Sequence, residues 1–127
     1  MPLAEDIITA RYSIQGYDQG QVTINETRYR GSLILSPDQL ISPWPVQSID
    51  QLNTDHLDEI IELKPDVVLL GTGQNQHFPD ASIFGVFAEL QLGLEVMNNG
   101  ALCRTFNILV ADDRNVVAAI IQPAQEG

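Results

Sequence analysis

Two short stretches hold the residues that could do chemistry. The first is Gly71-Thr72-Gly73-Gln74-Asn75, which follows the apolar run Val67-Val68-Leu69-Leu70. A β-branched and leucine run that stops at a Gly-x-Gly turn reads as a buried parallel strand. Open α/β sheets hold ligands in the crevice at the carboxyl ends of such strands. A dinucleotide fingerprint would need a third glycine, but position 76 is glutamine, the next helix starts several residues late, and no Walker lysine follows. Nicotinamide and ATP are not expected, and a tight turn leaving a buried strand is the simpler reading.

The second stretch is Asn98-Asn99-Gly100-Ala101-Leu102-Cys103-Arg104-Thr105-Phe106-Asn107. If it is helical, its first turn offers unpaired N–H groups and a positive dipole end, with Arg104 one turn on, so an anion or carboxylate would fit there. The alternative is that Arg104 pairs with one of the many acidic side chains. A helix start and a nearby arginine would lower the Cys103 thiol pKa and make it nucleophilic. A lone cysteine among apolar neighbours is more often a small buried hydrophobe. His77 would serve as its base only if the 74–77 loop folds toward it.

Together these residues define a candidate ligand-binding crevice between the two turns. Gly71 and Gly73 would let the backbone approach a ligand, Arg104 would hold an anionic group, and Thr72, Asn98 and Asn107 would orient it. Cys103 is a remote candidate nucleophile. No catalytic residue is assigned.

Other constellations read as structural. Asp55, Asp58, Glu59 and Glu62 have the i, i+3, i+4 spacing of a solvated helix face, and His56 lacks the second histidine of a zinc motif. Asp112-Asp113 suits a turn, and no Gly-x-Ser-x-Gly elbow occurs. No metal and no cofactor are expected. Trp44, between Pro43 and Pro45, is expected to cover one end of the core, with an interface role as the alternative.

Composition narrows the class of partner. The 127 residues carry 17 acidic and 6 basic side chains, a formal net charge of −11. Nucleic-acid binding needs basic side chains on phosphates, so DNA and RNA are excluded, and an anionic membrane surface is disfavoured. A basic protein patch or a cationic ligand fits this balance better. One cysteine rules out an internal disulfide framework. Residues 1–6 have neither a secretory nor an organelle leader pattern, and no apolar run approaches the length of a membrane span. The expected location is cytoplasmic, and the expected organisation is one domain over residues 1–127.

The elements that must position these residues change character along the chain. Tyr12-Ser13-Ile14, Val22-Thr23-Ile24 and Arg28-Tyr29-Arg30 read as a meander, with Gly16 and Gly20 as separators and Asn25-Glu26 as a hairpin turn. Leu33-Ile34-Leu35 and residues 39–42 add two more strands. Helix and strand then alternate: a helix over 55–63 capped by Asn53 or Thr54, a strand at 67–70, a helix over 81–92 ended by Gly93, and an edge strand at 94–97. A third helix over 101–111 and a central strand at 116–121 complete the order. Thr105-Phe106-Asn107-Ile108-Leu109-Val110 would also suit a hairpin with 116–121; the shared face of Leu102, Phe106, Leu109 and Val110 favours the helix. The result is an α/β fold of three layers: a mixed central sheet, helices on both faces, and an N-terminal antiparallel β-meander.

Leu70-Gly71-Thr72-Gly73, Leu94-Glu95-Val96-Met97, Ala101-Leu102-Cys103-Arg104-Thr105-Phe106-Asn107-Ile108-Leu109 and Val117-Ala118-Ala119-Ile120-Ile121 together resemble a family of small stand-alone domains. Its mitochondrial member is complex I (NADH dehydrogenase) assembly factor 3. The likeness runs over nearly the whole chain, and Cys-Arg-Thr-aromatic-Asn is its most specific part. The resemblance implies a three-layer β/α fold, no established enzymatic activity, and action through protein contacts. On that basis the chain is expected to be a non-enzymatic interaction or assembly module of unknown partner, with Trp44 and the acidic helix as candidate contact surfaces. The alternative is a binder of a small anionic ligand, or an enzyme, working from the crevice.

Overall fold

The computed structural model describes residues 12–18 and 20–123; the leader reading of residues 1–6 lies outside them. Strands β1 (Ile14–Asp18), β2 (Gln21–Ile24) and β3 (Thr27–Arg30) form an antiparallel meander. Asn25 and Glu26 both take positive φ, 49° and 72°, which is the backbone a two-residue hairpin demands. Gly16 is not a separator as expected. It lies within β1, where the register shifts between Ile14 and Gly16, so an extra residue is accommodated as a bulge.

The second sheet has the order β5-β4-β8-β6-β7, with β4 (Leu33–Leu35), β5 (Leu40–Ile41), β6 (Val67–Gly71), β7 (Gly93–Met97) and β8 (Val116–Ile120). β6 runs parallel to both β7 and β8, and β4 runs antiparallel to β8. The apolar run of residues 116–121 is therefore central and the alternating run of residues 94–97 is at an edge, as the patterning requires.

Among the described residues three α-helices complete the fold: α1 (Asp58–Glu62), α2 (Ala81–Glu89) and α3 (Asn99–Ala111). The hairpin alternative for residues 105–110 has no room, because β4 and β6 already occupy both edges of β8. The first helix is shorter than expected. Its opening turn, Thr54–Leu57, is 3-10, with the Asn53 side chain accepting from the Asp55 N–H at 2.9 Å and His56 Nδ1 accepting from the Asn53 N–H at 3.1 Å. The second helix also ends early. Gln91, at φ 59°, turns the chain, and Gly93 opens β7 instead of ending the helix.

Strand alternation divides the core between the two faces of the sheet. Val68, Leu70, Val117, Ala119 and Ile121 meet Leu57, Ile60, Ile83 and Phe87 on the face covered by α1 and α2. Leu69, Val116, Ala118 and Ile120 meet Leu102 and Phe106 of α3, with Ile14, Val22 and Ile24 of the meander, on the other. Each fully buried large side chain contributes about 2 kcal/mol to this sandwich. Trp44 belongs to the first core at 2% exposure, and its indole N–H faces the His56 carbonyl at 3.4 Å. Burial removes Trp44 from the candidate contact surfaces. The acidic face of Asp55, Asp58, Glu59 and Glu62 is exposed.

Candidate functional site

The two turns singled out by the sequence meet at the carboxyl rim of β6, and their backbones are joined. The Asn99 N–H donates to the Gly73 carbonyl at 2.8 Å, and the Gly73 N–H donates to Asn99 Oδ1 at 3.1 Å. Asn99 Nδ2 reaches the Ile121 carbonyl beyond the end of β8 at 3.0 Å. Asn99, 1% exposed, thus ties together the ends of β6, α3 and β8. Gly71 is needed because a Cβ there would lie 2.3 Å from Asn99 Oδ1 and 3.0 Å from Leu102 Cδ1. Its close approach is to the chain's own asparagine, not to a ligand. Gly73 serves differently: φ is 100° and nothing lies within 4 Å of a Cβ built there.

The α3 donors are largely engaged. Asn98 Oδ1 accepts from the Ala101 N–H at 2.8 Å, the Leu102 N–H returns to the Asn98 carbonyl at 3.0 Å, and the Asn99 N–H is held by Gly73. A helix start spent in this way has little left for an anion. Thr72 is also committed, its Oγ1 donating to the Asn75 carbonyl at 2.7 Å and accepting from the His77 N–H at 3.0 Å. With Gln76 Nε2 on the Val96 carbonyl at 2.9 Å, these bonds shape the loop after β6 and deliver its end outward. Phe78 sits there at 71% exposure, its ring 6.4 Å from that of Phe84 on α2.

The expected single crevice is instead two hollows that share Tyr17. The larger, about 890 Å³, is lined by Thr72, Gly73, His77, Phe78, Asn99 and Gln122, together with residues 47–50. The smaller, about 350 Å³, holds Cys103, Arg104 and Asn107 against β1. Thr72 and Gly73 are thus separated from Arg104, and Asn98 lines neither hollow.

In the smaller hollow, Asn107 grips the meander. Its Oδ1 accepts from the Ile14 N–H at 3.0 Å while its Nδ2 donates to the Ile14 carbonyl at 2.6 Å. Burial pushes the Cys103 thiol up to about 11, a rise that the adjacent Arg104 only partly offsets. That is the reverse of the shift a nucleophile needs. Among the described residues, no group of three or more His, Cys, Asp or Glu side chains could hold a metal ion.

Sequence reading missed Asn99, Tyr17, residues 47–50 and Gln122 as cavity-lining groups. Gln122 is fully buried; Nε2 donates to the Gly31 carbonyl at 2.8 Å, and Oε1 has no partner among the described residues. Only Phe78, a large aromatic in a loop beside Pro79 and outside any apolar period, carried a visible signal.

The comparisons agree with this fold. The NMR structure of XCC1710 from Xanthomonas campestris superposes with a TM-score of 0.87 at 37% identity, covering 100% of this chain and 96% of that one. The 13 kDa major membrane protein of Francisella tularensis subsp. holarctica is 32% identical over 95% of this chain and 99% of its own length. NADH dehydrogenase (ubiquinone) 1 alpha subcomplex assembly factor 3 of Xenopus tropicalis is 29% identical over 94% of this chain, which spans only 63% of that longer protein. Among the described residues no helix is long and apolar enough to cross a membrane. The family described as "protein of unknown function (DUF498/DUF598)" matches residues 14–121, and the chain belongs to it.

Proposed function

We propose that this chain is a non-catalytic protein-binding module of the assembly-factor kind, engaging its partner at the mouth of the larger cavity. The observation that carries this reading is the Phe78–Phe84 pair, an exposed aromatic contact held out by a loop that is itself fixed by hydrogen bonds. Rigid aromatic groups projecting from an ordered frame are the typical anchors of protein interfaces. The similarity to relatives named as assembly factors supports it. So does the engagement of Thr72, Asn98, Asn99 and Asn107 with the chain's own backbone, along with the raised Cys103 thiol. The anionic-ligand alternative has less support, since Arg104 lies in the other hollow and the α3 donors are spent.

Photo-crosslinking in the native cell tests the reading. A benzoylphenylalanine at position 78 should yield one dominant protein adduct. The same group at position 108, where Ile108 is exposed on α3 at 67%, should not. Equal adducts from both positions, or none from position 78, would contradict it.

A further inference from the structure

The larger cavity has a charge character that points to the chemistry of its occupant. Asp50 is the one charged side chain among the described residues lining it; the wall has no lysine or arginine. The exposed face of Phe78 stands at the rim. Gln122, on the same wall, is fully buried, and its Nε2 donates to the Gly31 and Tyr29 carbonyls. Of the first α3 donors, the Asn99, Ala101 and Leu102 N–H groups are spent on Gly73 and Asn98.

A carboxylate and an aromatic face both favour a cation that also donates hydrogen bonds. The field of the whole chain, at a net charge of −11, acts in the same direction. Arg104 lines the smaller hollow, so among the described residues no lysine or arginine of the cavity wall neutralises Asp50.

We infer that the larger cavity receives a basic side chain, arginine or lysine, from an exposed segment of the partner protein. The inference rests on the protein-binding reading above and names the partner chemistry for it. Asp50, on the 3-10 segment Ile49–Gln51, receives the cation, and Phe78 of the same lining covers it.

The test is an amide-resolved NMR titration of the full chain with three blocked tripeptides, glycyl-X-glycine amide with X as arginine, glutamate or norleucine. The arginyl peptide should move the Asp50, Gly73 and Phe78 amides saturably, and the glutamyl and norleucyl peptides should not. Asp50→Asn, an exposed change in a surface turn, should weaken the arginyl peptide roughly five-fold and leave the rest of the spectrum in place. Shifts confined to the acidic face of α1, equal shifts from the glutamyl or norleucyl peptide, or no shifts at all would overturn the inference. So would agmatine matching the peptide's affinity, since the site would then be one for a small free cation. If the titration fails while position 78 still crosslinks to a protein, only this inference falls; if both fail, the protein-binding reading falls with it.

Discussion

The two hollows on either side of Tyr17 use similar residue types to opposite ends. In the smaller one, polar groups are consumed by the fold: both amide atoms of Asn107 hold Ile14, and Cys103 is a buried thiol. Among the described residues its one charged side chain is Arg104, which is exposed. The larger hollow has similarly committed residues in Thr72, Gly73 and Asn99, but the Asp50 and Phe78 side chains of its lining are exposed. Gly71 and Asn107 thus serve the fold at positions where the sequence suggested a ligand.

Substitutions can break that division, beginning with the most damaging. Gly71→Ala forces a methyl into Asn99 and Leu102 and should cost about 3 kcal/mol in chemical denaturation. A variant with wild-type stability would mean that Asn99 is not fixed against β6. Asn99→Ala removes the Gly73 and Ile121 bonds and leaves buried groups unpaired, a loss of about 2 kcal/mol by the same measurement.

Cys103 gives a pH test. Its thiol is held protonated until about pH 11 in the fold against an ordinary 9.0, so its contribution is complete below pH 9 and is lost as pH rises from 9 toward 11. Modification of the native protein by a thiol reagent at pH 8 should be far slower than of the unfolded chain; fast labelling would return Cys103 to the nucleophile class.

Two changes should have small or no effect on stability. Asp80 caps α2 through the Ser82 N–H at 2.9 Å and the Ser82 hydroxyl at 2.7 Å, and the backbone bond, then the hydroxyl, hold its carboxyl below the ordinary 3.8. That support is present above the ordinary value and lost as pH falls through the native one. Asp80→Asn should therefore flatten the acid limb of a melting-temperature profile slightly. Phe78→Ala should leave stability within about 0.5 kcal/mol while abolishing partner capture. A large stability loss would show Phe78 to be part of the core.

Legibility followed local pattern. β6, β8 and the Asn25-Glu26 turn could be read because apolar runs and turn residues encode backbone locally. The bulge at Gly16 and the early end of α2 could not, since a register shift and the left-handed Gln91 follow from pairing and packing at a distance. The site was less legible still. Asn98 capping α3 was readable, but the reach of Asn99 to Ile121, 22 residues on, depends on where β8 ends against β6. The same assembly places Arg104 in one hollow and the Gly71-Thr72-Gly73 turn beside the other.

Charge reversal on each side of Tyr17 tests most directly whether action resides in the larger hollow. With the partner captured from position 78, its affinity should be measured for wild type, Asp50→Lys and Arg104→Glu, each with its folding checked by spectrum. The account predicts roughly a tenfold or greater loss for Asp50→Lys and little change for Arg104→Glu. Loss with Arg104→Glu and indifference to Asp50→Lys would contradict it.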